Sequence, residues 1–324
     1  MQCSKCGATV LAGDHFCEEC GTALVVEAAI PQSTGGCEKC GAGPEEIDAE
    51  GYCSHCGFRN QARENDRIQV TCSSKLAGVS DRGLRHYNNE DYVACATVDG
   101  KNAYVLVVCD GVSSSQQPEL AAKAAAEAAC TALTAAIEKG DVKQEEAMNS
   151  AFTSALSAVC AIPYSEGTNA DFPSTTIVAA VVQDNHATIG WLGDSRAYWI
   201  SGQGSRQLTK DDSWLYDMVS SGKMTEAQAR QSDKAHAITR WLGVDAIADS
   251  EPSIVNFNIP GSGYLLLCTD GLWNYAPEPA QIAELVKPKS GADALTVSRS
   301  LVEFARRSGG HDNITVAVLM NYQP

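Results

Sequence analysis

The chain has 324 residues, 44% of them hydrophobic, and a formal net charge of -16. That length can bury a full core and hold more than one folded unit, while the acidic balance argues against a nucleic-acid partner and gives no attraction to anionic lipid. No apolar run approaches a membrane span, and Met1 leads into a cysteine motif where a signal h-region would sit, so the expectation is a cytoplasmic protein without a membrane partner.

The first recognisable elements are cysteine knuckles. Of fourteen cysteines, Cys3, Cys6, Cys17 and Cys20 form C-x2-C-x10-C-x2-C, and Cys37, Cys40, Cys53 and Cys56 form C-x2-C-x12-C-x2-C. Each pair is followed by glycine (Gly7, Gly21, Gly41, Gly57), which relieves a tight turn that requires positive φ. Two thiolates on such a turn bind one metal while nearby amides face the sulfurs. Four soft ligands with no open position describe structural zinc, so two Zn²⁺ ions are expected. His15 and His55 are bystanders, since each ribbon already has four sulfurs. Residues 1–24 and 35–60 therefore read as two zinc ribbons whose folding energy is metal binding. Their acids outnumber Lys5, Lys39 and Arg59, which favours a protein-contact or spacer role over nucleic-acid binding.

A polar stretch then leads into one large domain, residues 68–322. "YVACATV" and "AYVLVVC" flank Asp99-Gly100, a hairpin signal. After Pro118 a long alanine-rich helix runs to Gly140, and a second helix covers Gln144 to Val159. Strands follow at "TTIVAAVV", "HATIGWL", "RAYWI", "GYLLLCT" and "ITVAVLM", with a helix from about Asp293 to Arg307 before the last. Strands in hairpins interrupted by blocks of helices predict an α+β fold, with largely antiparallel sheets and helices outside. Cys72, Cys95, Cys109, Cys130, Cys160 and Cys268 sit mostly on apolar runs and read as core packing.

The acids fall at the edges of these strands. Glu90 and Asp91 begin the first hairpin strand, Asp110 ends the next, and Asp270 ends another. Asp194 lies on a turn between two strands, and Asp312 precedes the final one. Apolar strands that hold their backbones still could gather these carboxylates in one cleft. Like charges a few Å apart raise each other's pKa, and hard divalent cations with oxygen-rich sites, Mg²⁺ or Mn²⁺, resolve that conflict. Gly111 and Gly271, which follow Asp110 and Asp270, allow close backbone approach and could expose a carbonyl ligand.

The ordered set "SDRGLRHYNNEDYV", "VVCDGVSS", "PSTTIVAAVV", "GDSRAYWI", "LTKDDSW", "AITRWLG", "LLLCTDGLWN" and "HDNITVAVL" covers nearly all of residues 78–320. It resembles the PPM/PP2C family of metal-dependent protein serine/threonine phosphatases, particularly its bacterial branch. The resemblance implies a central sandwich of two antiparallel sheets flanked by helices, with the metal site at one end. It implies that Asp110 bridges two metals, that Asp270 and Asp312 complete one site, and that Glu90 and the Gly111 carbonyl serve the other. Asp91 would order water beside them, and Asp194 with Asp270 would form a weaker third site. Water activated between two metals would hydrolyse phosphoserine or phosphothreonine without a covalent intermediate. The segment from Asp211 to Arg240 resembles the family's mobile flap.

The sequence departs from the family pattern at four places. Eukaryotic members carry a phosphate-binding arginine where this chain has His86, with Arg85 one step earlier, so either is a candidate for the phosphate. Val112 stands where many of them have a histidine proposed to protonate the leaving group, and water would take that part. Asn274 replaces an aspartate, which should weaken the third site, and Asp212 stands where histidine is common. The implied partners are phosphorylated proteins and a serine/threonine kinase or its substrates, met by a monomeric catalytic domain. Two rivals remain: a pseudophosphatase, for which a metal acid should be missing, and a zinc-ribbon adaptor, for which basic ribbons would be expected. All four acids Glu90, Asp110, Asp270 and Asp312 are present, and the ribbons are acidic with only Phe16, Tyr52 and Phe58 as aromatics.

Overall fold

The computed structural model describes residues 36–48, 51–60, 65–140, 143–166, 171–202, 204–287 and 292–321. The chain forms two compact units, Met1–Asn60 and Gln61–Pro324. The first expected ribbon, with Cys3, Cys6, Cys17 and Cys20, lies outside the described residues. In the second, a 3-10 turn at Pro44–Glu46 and two isolated bridges, Ile47 to Cys53 and Tyr52 to Arg59, hold the knuckles together.

The large unit begins with β1 (Arg67–Thr71) and β2 (Leu76–Asp81), which the sequence pattern does not announce. β3 (Asp91–Val98) and β4 (Ala103–Asp110) make the expected hairpin. Two helices follow, α1 (Pro118–Lys139) and α2 (Gln144–Cys160), each within a residue or two of its predicted limits. The predicted strand "TTIVAAVV" is two elements, β5 (Ser174–Thr175) and β6 (Ile177–Gln183), succeeded by β7 (His186–Leu192), β8 (Arg196–Ile200) and β9 (Arg206–Gln207). Two short helices, α3 (Trp214–Ser220) and α4 (Glu226–Ala229), lie within the segment compared with a flap. Then come β10 (Leu242–Gly243), β11 (Ser253–Asn258), β12 (Gly263–Cys268), α5 (Asp270–Trp273), α6 (Pro279–Leu285), α7 (Ala294–Arg307) and β13 (Ile314–Asn321). Asp293 caps α7, its side chain accepting from the Thr296 amide.

The strands form a five-stranded sheet in the order β11-β7-β6-β4-β3, a six-stranded sheet in the order β1-β2-β13-β12-β8-β9, and a small β10–β5 ribbon. Leu76, Val93, Leu106, Val108, Ile189, Trp199, Leu265 and Ala317 share the core between the two sheets. The outer face of the five-stranded sheet packs on α1 and α2 through a cluster that includes Val105, Val107, Ala125, Phe152 and Ile177. The outer face of the other packs on α6 and α7 through Val316, Leu266, Ile282 and Leu301. The fold is thus the anticipated α+β sandwich, with antiparallel sheets inside and helices outside. α1 corrects one expectation: it is long and apolar enough in composition to cross a membrane. Its alanine face, from Ala121 to Ala129, is buried in the core instead.

Candidate metal centre

The strand registers bring the acids to the same end of both sheets. Asp91 and Asp110 are direct cross-strand partners in the β3–β4 hairpin. At the matching end of the second sheet, Cys268 pairs with both Val316 and Arg196, so Asp270, the start of β13 and the β7–β8 turn meet there. The carboxylates feel one another across this gap. Burial pushes Asp110 well above the usual carboxylate range, and Asp91, Asp270, Asp312 and Asp194 raise it further. Burial followed by Asp194, Asp312 and Asp91 does the same to Asp270. Asp91 is pushed up to about 7 by burial and by Asp312, against hydrogen bonds from Thr315 and Thr269 that favour its charge. Asp194 is pushed up to about 7 by burial and by Asp211.

Each acid is fixed by the local backbone. The Asp110 carbonyl accepts from the Thr176 amide at 2.8 Å and from Thr175 Oγ1 at 2.9 Å. Asp91 Oδ2 accepts from Thr269 Oγ1 at 2.8 Å. Asp270 opens α5 instead of ending β12, and Asn274 Nδ2 donates to its Oδ2 at 3.1 Å. A Cβ on Gly111 would meet the Pro118 carbonyl oxygen at 2.4 Å, and one on Gly271 would meet that of Asn313 at 1.9 Å. The close approach that needs glycine at both positions is therefore to the protein's own backbone. Asp312 Oδ1 accepts from the Asn313 amide at 2.8 Å and lies 3.1 Å from His86 Nε2.

Glu90 is half-buried, and its carboxylate accepts from Ser113 Oγ. Its backbone is held by Asn313, whose Oδ1 accepts from the Glu90 amide at 2.8 Å. Asn313 Nδ2 donates to the Arg82 and Asn88 carbonyls at 2.8 and 3.0 Å. Sequence reasoning gave Asn313 no role; its signal was its place beside Asp312 in "HDN". Of the two phosphate candidates, His86 is engaged with Asp312, while Arg85 is exposed. Arg85 lies close enough to Tyr275 and His311 to influence both electrostatically.

Two buried oxygens, Asp91 Oδ1 and Asp270 Oδ1, have no hydrogen-bond partner. Unpaired buried carboxylate oxygens are costly, and in a cluster of hard oxygen donors they suit a divalent cation. The residues therefore fit Mg²⁺ or Mn²⁺.

The thiolates make a tighter group. Ligand atoms of Cys37, Cys40, Cys53 and Cys56 all lie within 4.8 Å of one another, with Cys37 and Cys56 Sγ 3.6 Å apart and Cys40 and Cys53 Sγ also 3.6 Å apart. A tetrahedron with Zn–S bonds of about 2.3 Å needs sulfurs about 3.8 Å apart, so the group fits zinc. Gly41 and Gly57 have φ of 73° and 71°, the left-handed turn anticipated after each knuckle. Burial raises the Cys53 thiol, but the Cys56 and His55 amides and neighbouring thiols outweigh it and bring it down to about 7.

Residues 83–304 match the family model for protein phosphatase 2C, and residues 2–24 match that for a zinc-ribbon domain. The chain is 29% identical over 253 residues to the serine/threonine phosphatase stp of Listeria monocytogenes, covering 74% of this chain and 93% of that one. It is 27% identical to the protein phosphatase PhpP of Streptococcus pneumoniae, covering 76% and 96%. The structure superposes on the Streptococcus agalactiae serine/threonine phosphatase with a TM-score of 0.64 and 21% identity, covering 79% of this chain and all 100% of that one. It superposes on the catalytic domain of the phosphatase PstP in complex with two manganese ions with a TM-score of 0.57 and 26% identity, over 79% and 100%.

Proposed function

We propose, from the premise that this chain belongs to the protein phosphatase 2C family, that its carboxylate cluster is the active centre of a metal-dependent protein serine/threonine phosphatase. One observation carries the reading: Asp91, Asp110, Asp194 and Asp270 are each buried and pushed up in part by the carboxylate of Asp312, although they come from separate segments, and two of their buried oxygens lack partners.

In this reading Asp110, Asp270 and Asp312, with Glu90 and the Gly111 carbonyl, hold two divalent cations, and Asp194 contributes to a weaker third site. When bound, Mn²⁺ or Mg²⁺ would supply neutralising charge for the phosphoryl group and acidify the attacking water. The protein's own task is placement. Thr175 and Thr176 hold the Asp110 backbone, Thr269 orients Asp91, and Asn313 fixes Glu90. Arg85, exposed beside His311 and Tyr275, is the better placed of the two candidates to meet an incoming phosphate, because His86 already faces Asp312.

Direct hydrolysis without a phosphoenzyme belongs to the same reading, and the neighbouring thiols are consistent with it. Cys109 and Cys268 adjoin the acidic cluster, yet burial holds both thiols well above their ordinary value, so neither offers a thiolate. The substrates are phosphoserine and phosphothreonine in proteins that a serine/threonine kinase supplies, met by a monomeric catalytic domain of residues 68–322. The ribbons, residues 1–24 and 35–60, hold one zinc each through Cys3, Cys6, Cys17 and Cys20 and through Cys37, Cys40, Cys53 and Cys56. Free cysteines and thiolate zinc sites suit the reducing cytoplasm.

The test is hydrolysis of a phosphothreonine peptide with Mn²⁺, with and without chelator, beside Asp110→Asn. Turnover should require the ion and fall at least ~100-fold in the variant, the loss expected when transition-state charge stabilisation is removed. Equal rates in the two proteins, or no turnover with any divalent ion, would refute the assignment.

A further inference from the structure

The segment from Asp211 to Arg240 is closed at its neck. The Trp214 amide donates to the Ala237 carbonyl at 2.9 Å, and the Thr239 amide donates to the Asp212 carbonyl at 2.8 Å. An antiparallel bridge between Ser213 and Ile238 lies between them. Arg240 sits at the closure, its Nη1 3.4 Å from Asp212 Oδ1 and 3.1 Å from Ser253 Oγ.

Asp212 also grips the turn between β7 and β8. Its amide donates to the Gly193 carbonyl at 2.9 Å, and its Oδ2 accepts from the Gly193 amide at 3.1 Å. The next residue is Asp194, whose carbonyl accepts from Trp273 Nε1 at 3.0 Å. Beside it, Asp211 makes a two-point contact with Arg196, at 2.9 and 2.7 Å, and the Arg196 guanidinium stacks 3.7 Å from the Trp273 ring centroid. The Asp212 and Arg240 side chains are 16% and 28% exposed, so water screens this ion pair only in part.

We propose that Asp212 is a positioning residue that locks the neck of the 211–240 segment to the turn bearing Asp194, so that the two move as one body. The consequence for cation binding rests on the reading of Asp194 as a ligand of the weaker site. Under that reading, any event that displaces the segment, such as docking of a phosphoprotein, also displaces one cation ligand.

Asp212→Asn gives up the charge that pairs with Arg240, which Ser253 and the Asp249 and Glu251 carbonyls also hold, and replaces the carboxylate that receives the Gly193 amide with a neutral, weaker acceptor. Arg240→Lys keeps the charge and tests rescue, and Asp194→Ala is the control on the ligand. Hydrogen exchange on the metal-free full chain should show the Gly193, Trp214 and Thr239 amides losing protection together in Asp212→Asn and keeping most of it in Arg240→Lys. In a Mn²⁺ titration followed by paramagnetic resonance, Asp212→Asn should weaken the weaker class of sites about tenfold, the usual cost of losing a residue that orients a ligand. The tighter class should hold. Neck amides that open while Gly193 stays protected would overturn the lock, whatever the Mn²⁺ result. If Asp194→Ala abolishes the weaker class and Asp212→Asn leaves it intact, the coupling fails. If Asp194→Ala leaves Mn²⁺ binding unchanged, the reading of Asp194 fails and the lock is decided by exchange alone.

Discussion

Asn313 is almost fully buried, and its side chain makes three hydrogen bonds, to the Glu90 amide and to the Arg82 and Asn88 carbonyls. It staples the 82–90 loop to the start of β13, so Glu90 and Asp312 hang on one side chain. Asn313→Ala removes all three bonds and should destabilise the metal-free protein by at least about 3 kcal/mol, since each lost buried partner costs about 1–3 kcal/mol. Urea denaturation measures this, and a change within scatter would show that the loop holds itself. Gly271 is constrained in the same region, because any side chain there would meet the Asn313 carbonyl before Asp270 reached its place.

Among the elements, α1 shows how composition becomes packing. Ala121, Ala122, Ala125, Ala126 and Ala129 are fully buried, which lets the helix approach β3, β4 and α2 closely. Ala126→Leu adds volume where none is free and should cost about 1–3 kcal/mol, read as a lower denaturation midpoint with an unchanged slope. A neutral or stabilising result would mean that the helix–sheet contact is looser than its burial implies. β2 is the contrary case. "LAGVSD" has no alternation, yet all six residues are buried between β1 and β13. Its polar members are satisfied by distant partners: Ser80 Oγ accepts from Thr315 Oγ1 and Asn89 Nδ2, and Asp81 pairs with Arg306. Period-two patterning misses such a strand because both of its faces are inside.

At the scale of the whole molecule, the acidic cluster opposes the fold that creates it. Without metal, burial first of all pushes Asp91 and Asp194 up to about 7 and raises Asp110 and Asp270 well above the usual carboxylate range. The folded protein therefore keeps protons that the unfolded chain releases above the ordinary carboxylate value of 3.8. These groups favour folding most below that value, and their contribution is lost as pH rises towards about 7. The thermal midpoint of the metal-free full chain should fall across that window. Asp110→Asn should lessen the slope, and saturating Mn²⁺ should raise the midpoint most near neutrality. A metal-free profile that is flat, or rises through the window, would contradict a cluster of mutually repelling buried acids.

The sequence by itself determined the α+β class, the β3–β4 hairpin, the three long helices and the two cysteine quartets, because periodicity, turn chemistry and ligand spacing are local. It also marked Glu90, Asp91, Asp110, Asp194, Asp270 and Asp312, since each acid stands at the edge of an apolar run. Only the tertiary structure decided which of them face one another, and that the glycines after Asp110 and Asp270 make room for backbone. It alone revealed Asn313 and Thr269 as residues bonded to Glu90 and Asp91 across the fold. Those roles depend on hydrogen bonds between segments as far apart as Asp91 and Thr269, and such pairings exist only once antiparallel registers have brought strand ends together.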